Sequence, residues 1–541
     1  MRCYLNTVDS YELYERETKK PYFVDKTKLL EKLFPLVEQG GSNIAVTRPR
    51  RFGKSITAEM IASFFNRGMD SSEVFSKLEI AQTTGFEKHM NQHNVIYINF
   101  SKGPDDCTSY DDYISYIKEG LVGDIEETYP DAVHRRGDSV GAMLRNVSAK
   151  YQGEKFILVF DEWDYIFHRP YFTETDRGRF TAFLGDLTKD RPYIEMTYIT
   201  GILPIKKYSG SDTMNHFAEY NMANDSAFDE YFGFTGKEVD ELYHRYLENT
   251  QAPAFTREKL EDWYDGYHND NGLSLYNPNS VVFAFSENRI GNYWSKAGEY
   301  EELKDYVLND IDGVKEAVMM LAADEQVQVD ISEYATTAQT LERKDEILSA
   351  MTVYGYLNYH DGCVRIPNME LQTEFDRIMR TAPRYNYMRK LEKESERILA
   401  ATYQADTDTI AEVLAFVHNS ESPLKYYDNE AELSGSVKLA YIAARNKYDI
   451  QREDQAGTGY VDYIFYPYNH SDDGIILELK VNASPETALK QIKQKKYAMK
   501  FQGKLGEMPK TTGRIILVGI GYYKKSKQHR CKIEILNSLQ V

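Results

Sequence analysis

The run Thr47-Arg48-Pro49-Arg50-Arg51-Phe52-Gly53-Lys54-Ser55 constrains the fold of this chain most, because its closing Gly-Lys-Ser stands between an apolar segment and a helical one. Ahead of it, Asn43-Ile44-Ala45-Val46-Thr47 follows Gly40-Gly41 and reads as a buried strand. Behind it, Ile56, Met60, Ile61 and Phe64 recur at helical spacing up to Phe65. Strand, loop and helix are the context in which a G-x-x-x-x-G-K-[ST] loop cradles phosphate on backbone N–H groups at a helix start. In that chemistry Gly53, Lys54 and Ser55 hold ATP, Lys54 on the outer phosphates and the Ser55 hydroxyl on Mg²⁺. One position departs from the pattern. Arg48 stands where glycine is expected, so the loop must close differently, and Arg50 or Arg51 is expected to bring its planar fork to phosphate.

A second apolar strand, Phe156-Ile157-Leu158-Val159-Phe160, ends in Asp161-Glu162. Beside a phosphate loop, the first acid of such a strand serves Mg²⁺ and the second polarises the attacking water. A third strand, Tyr193 to Thr200, places Thr200 where a polar side chain would sense the γ-phosphate.

Composition narrows the class. A chain of 541 residues should hold about three or four domains, and 42% hydrophobic content excludes a disordered one. Cys3, Cys107, Cys363 and Cys531 are scattered singly, which argues against a zinc or disulfide framework and fits a reducing cytoplasm. Met1-Arg2-Cys3-Tyr4 leads into no apolar signal core, and no apolar run approaches a membrane span, so no membrane partner is expected. The net charge of −19 argues against a general nucleic-acid coat. Yet from Pro485 to Ile533 there are 13 Lys and Arg against only Glu486 and Glu507, a block suited to a local anionic partner.

Just upstream, Tyr460 to Tyr466 reads as a strand, Asn469-His470-Ser471-Asp472-Asp473-Gly474 as a turn, and Ile475 to Val481 as the returning strand. Alternation puts Glu478 and Lys480 on one face, and the hairpin brings Asp462 alongside. Two carboxylates and a lysine then converge where Mg²⁺ would activate water, Asp462 and Glu478 as its ligands and Lys480 beside the phosphate.

That arrangement resembles the PD-(D/E)xK nuclease core, in which a helix often supplies another acid, here Glu430, and a following helix places Gln491 to orient the site. Taken whole, the chain resembles bacterial AAA-ATPase-like proteins that carry a C-terminal PD-(D/E)xK nuclease-like domain. The resemblance runs through Pro21 to Thr27, Thr47 to Ser55, Thr200 to Ile205, Trp263-Tyr264-Asp265-Gly266-Tyr267, Tyr276-Asn277-Pro278, Asn429-Glu430, Gly459 to Asp462, Glu478 to Val481 and Gln491-Ile492-Lys493. In that family Arg48 belongs to the usual loop. The resemblance implies an α/β multidomain chain: a P-loop ATPase over 1–225, a helical middle over 226–420 with a winged helix near 340–370, and a nuclease-like α/β domain over 421–541. It implies ATP binding, with hydrolysis open, coupled to Mg²⁺-dependent action on DNA or RNA. The alternative is a nucleotide-dependent switch whose nuclease-like domain only binds nucleic acid or a protein partner. The oligomeric state is open.

The middle carries local signals only. Thr235 and Glu238 form a capping box that opens a helix through Tyr246. Asp361-Gly362 marks a hairpin turn, the aromatic Trp263–Tyr267 stretch reads as core packing, and Pro278 as a turn before a helix.

Overall fold

The computed structural model describes residues 3–104, 107–132, 135, 137–208, 213–222, 227–268, 272–294, 311–331, 341–381, 386–419, 430–456, 459–502 and 510–537. The chain divides into two compact units, one of Met1–Leu303 with Gln328–Gln372 and the other of Lys304–Val327 with Thr373–Val541. Together they form an α/β multidomain protein. Among the described residues, no helix is long and apolar enough to cross a membrane.

The first unit is built on five parallel strands: β1 (Ser42–Thr47), β2 (Asn94–Asn99), β3 (Phe156–Asp161), β4 (Ile194–Gly201) and β5 (Ala218–Tyr220), in the order β2-β3-β4-β1-β5. A parallel sheet is covered on both faces, which is why β3 is buried along its length and apolar up to Asp161. One face packs on Ile117, Leu121, Leu144 and Leu184, and the other on Leu33, Ile61 and Phe64. Helix α1 (Lys54–Phe65) starts directly behind the loop that leaves β1. Register carries the site: Val46 lies opposite Thr200 and Phe160 opposite Ile199, so the C-terminal ends of β1, β4 and β3 stand level.

Beyond this sheet, Thr235 and Glu238 cap the helix Gly236–Asn249 reciprocally. Pro278 is the first residue of helix α2 (Pro278–Glu287) rather than part of a preceding turn, because Asn277 serves as its N-cap. Asp361 (φ 50°) and Gly362 (φ 77°) form the hairpin turn between strands Asn358–His360 and Cys363–Arg365. Tyr264 and Tyr267 are buried, as core residues should be.

The second unit holds β6 (Tyr448–Ala456), β7 (Gly459–Pro467), β8 (Gly474–Val481), β9 (Ile515–Tyr523) and β10 (Gln528–Leu536), in sequence order. Only β8 and β9 pair in parallel, across helix α4 (Pro485–Gln494), which follows helix α3 (Glu430–Ala440) in chain order. The helix that Glu430 opens ends at Ala440 and is followed by a tighter turn over Ile442–Asn446. One face of the sheet packs Phe465, Leu477 and Val518 on Leu391, Ile398, Leu414 and Val437, joined by Met319 and Ala322. The other packs Ile464 and Ile476 on Leu489 and Ile492 of α4.

Candidate functional site

The loop from β1 to α1 turns through two left-handed residues, Arg51 (φ 71°) and Gly53 (φ 84°). Arg48, in the place of the expected glycine, is buried. Its guanidinium donates to the carbonyls of Thr47 (2.9 Å) and Tyr220 (3.1 Å) and lies 4.9 Å from the Phe232 ring centre. Arg48 is therefore a strut between β1, β5 and the segment after them. Arg50 is half-buried and Arg51 exposed.

The Lys54 ammonium is buried and donates to the Pro49 carbonyl at 2.9 Å. Burial pulls its pKa down, while the charges of Glu162, Asp164 and Asp161 oppose that shift. Asp161 shares a side-chain hydrogen bond with Ser55 and accepts from Asn99 Nδ2 (2.8 Å) and the Glu162 amide (3.0 Å). Burial first, then the charge of Glu162, pushes Asp161 up to about 7. Glu162 follows in the left-handed region (φ 52°) and is half-buried. Ser55, Asp161 and Glu162 thus stand together beside Lys54, and the Ser55–Asp161 pair has the hard oxygen chemistry that Mg²⁺ takes. Thr200 stands level with Asp161, but its hydroxyl donates to the Val46 carbonyl (2.8 Å) inside the sheet.

Three neighbours escaped sequence reading. Asn99 ends β2 opposite Asp161 and orients it. Glu59, one helical turn after Ser55, is pushed up to about 7 by burial and by the charge of Asp161. Asp164 accepts from the amides of Ile202 (2.9 Å) and Leu203 (2.8 Å) and pairs with His168 (3.0 Å). Burial would raise its pKa, but His168 and the two amides hold it below the usual range. The third acid of Asp161-Glu162-Trp163-Asp164 was the available signal; its distant backbone partners were not.

In the second unit, backbone pairing of β7 with β8 covers Tyr463–Leu477 to Phe465–Ile475 and stops there. The Asp462 side chain takes over: its Oδ2 accepts from the Leu479 amide at 2.7 Å. Continuing the register sets Asp462 opposite Glu478, the residue before that amide. Glu478 is only 1% exposed, and burial, then the charge of Asp462, pushes its pKa up to about 7. Lys480 Nζ lies 3.1 Å from Glu478 Oε1, while the buried Oε2 has no hydrogen-bond partner among the described residues. An orphaned buried carboxylate oxygen facing a second acid fits a divalent cation.

Gln491 on α4 shares a side-chain hydrogen bond with Tyr497. Burial raises the Tyr497 phenol, the bond to Gln491 opposes the rise, and the charges of Glu478 and Asp462 add to it, so Tyr497 belongs to this neighbourhood although sequence reading passed over it. Glu430 opens α3, and its side chain lies outside the described residues. Among the described residues, no group of three or more His, Cys, Asp or Glu is placed to hold a metal.

Residues 8–209 match the family described as Predicted AAA-ATPase, and residues 429–530 match the PD-(D/E)XK nuclease superfamily. A relative described as an uncharacterized protein in the vnfD 5′ region of Azotobacter chroococcum mcd 1 is 23% identical over 531 residues, 95% of each chain. Among solved structures, the Walker-type ATPase PABY2304 of Pyrococcus abyssi gives a TM-score of 0.36 at 12% identity, covering 65% of this chain and 96% of its own. The Aeropyrum pernix ORC2 protein in its ADPNP–ADP complexes gives 0.30 at 12% identity, covering 69% and 93%.

Proposed function

Because the chain joins a domain of the Predicted AAA-ATPase family to one of the PD-(D/E)XK nuclease superfamily, we propose that it binds and hydrolyses ATP–Mg²⁺ and cleaves nucleic acid in a metal-dependent way. At the first site the amides of Gly53, Lys54 and Ser55 cradle the phosphates at the start of α1. Lys54 leaves the Pro49 carbonyl for the outer phosphates, Ser55 and Asp161 hold Mg²⁺, and Glu162 orients the attacking water.

At the second site Asp462 and Glu478 hold a divalent cation. Such an ion, when bound, lowers the pKa of its water and offsets charge on the phosphate. Lys480 then stands beside the scissile phosphate, and Gln491 with Tyr497 steadies the wall behind Glu478. The basic segment from Pro485 to Ile533 tracks the backbone. Part of it is engaged within the domain, since Arg514 pairs with Asp473, Lys493 with Glu534 and Lys532 with Glu486.

The orphaned Glu478 Oε2 beside Asp462 carries this reading, because binding nucleic acid needs no buried, half-partnered carboxylate there. The test is cleavage of single- and double-stranded DNA and of RNA by the full chain, with Mg²⁺ or EDTA and with or without ATP. Cleavage that needs Mg²⁺ and is lost in Asp462→Ala is expected. Binding without cleavage in every arm would leave a nucleotide-dependent binding module instead.

A further inference from the structure

The loop that leaves β1 lacks its first glycine, and Pro49, Arg50 and Phe52 each rest on residues from 233 to 355. Asn277 Nδ2 donates to the Arg50 carbonyl at 3.3 Å, and Asn277 is only 1% exposed. The amide cannot be turned round. Its Oδ1 already accepts from the N–H groups of Asn279 (3.1 Å) and Ser280 (3.3 Å) at the start of α2, which leaves the NH₂ for Arg50. Phe52 is buried edge-to-face against Tyr267, with ring centres 5.0 Å apart. The Tyr267 hydroxyl donates to the Gly355 carbonyl at 2.7 Å. Gly355 sits at φ +85°, and a Cβ there would lie 2.6 Å from Pro49 Cβ.

We infer that Asn277 is a positioning residue of the nucleotide site, one that acts by orienting the Arg50–Arg51 peptide. In a trans peptide the carbonyl and the following N–H point in opposite directions. Anchoring the Arg50 carbonyl on Asn277 therefore fixes the Arg51 N–H on the opposite side of that peptide. Glycine gives other phosphate loops their closure from within. Here closure comes from outside, and the Trp263–Tyr267 and Tyr276–Pro278 stretches serve the loop as well as their own core. This inference rests on nucleotide binding at Lys54.

Asn277→Ser separates the two roles, because serine caps a helix well but cannot reach the Arg50 carbonyl. Asn277→Asp keeps the size and the cap and sets an acceptor against that carbonyl. In the full chain without nucleotide, both variants should melt within about 2 °C of the parent. Calorimetry should show ATP–Mg²⁺ bound roughly three- to tenfold more weakly, the range of one net hydrogen bond. Parent-like affinity in both variants, with Lys54→Ala weakened, overturns the role of Asn277 alone. Affinity that falls only in step with melting temperature also overturns it, since a plain helix cap would do that. Unchanged affinity in Lys54→Ala removes the underlying nucleotide site instead.

Discussion

The ammonium of Lys54 lies 2.9 Å from the carbonyl oxygen of Pro49, five residues earlier in the same loop. A buried cation must be partnered, and here the loop partners its own lysine. Phosphate offers the same ammonium a stronger, charged acceptor. Lys54→Ala should therefore weaken ATP–Mg²⁺ binding at least tenfold, about 1.4 kcal/mol, as measured by calorimetry. Equal affinity in the two proteins would sink the assignment.

Asp161 and Glu478 both stand near 7 in the folded chain, raised from ordinary carboxyl values by burial first and a neighbouring acid second. At these two groups the folded, metal-free protein thus holds more protons than the unfolded one between about pH 4 and 7. A raised carboxyl pKa contributes stability that is complete at acid pH and lost as pH rises through the folded value. The rise in Tm on adding Mg²⁺ should accordingly be larger at pH 8 than at pH 6. A pH-independent Mg²⁺ effect would contradict this.

Asp462 and Lys480 lie in a different compact unit from Lys54. Asp462→Ala or Lys480→Ala should reduce cleavage by 100-fold or more, on the order of 3 kcal/mol, while ATP affinity stays within twofold. Parallel cleavage and calorimetry assays decide it. Joint loss of both activities would mean general damage rather than two sites.

Gly266 (φ +114°) leaves no room for a side chain, since a Cβ would approach the Pro367 carbonyl oxygen to 1.9 Å. Gly266→Ala should cost roughly 3 kcal/mol or more. Gly137→Ala, also at positive φ (93°) but with open space around it, should cost about 1 kcal/mol. Similar melting temperatures for the two variants would show that the backbone at Gly266 relaxes freely.

What the sequence made legible was local. Apolar runs marked β1 and β3, Thr235 with Glu238 marked a helix start, and Asp361-Gly362 marked a turn whose two residues need positive φ. Period-two alternation alone set Glu478 and Lys480 on one face. The unread parts depend on partners far along the chain. Asn277 meets Arg50 across 227 residues, and Asp164 meets Ile202 across 38. No composition signal distinguishes a helix cap that also holds a loop from one that does not. Arg48 was legible as a missing glycine but not as a strut, because the Tyr220 carbonyl and Phe232 that receive it carry no sign of the pairing.

The apolar layer under one face of the second sheet sets where this polypeptide tolerates a cut. Met319 and Ala322 come from a stretch that precedes the Asp361-Gly362 hairpin, and Leu391, Ile398 and Leu414 from helices before residue 420, yet all share one core with Phe465, Leu477 and Val518. A fragment beginning at residue 429 would keep Asp462, Glu478 and Lys480 and strip the cover from the strands that hold them. Exposed apolar strands of that kind favour self-association over folding. The Asp462–Glu478 pair is thus not a removable cassette: it comes with a segment threaded through from the middle of the chain.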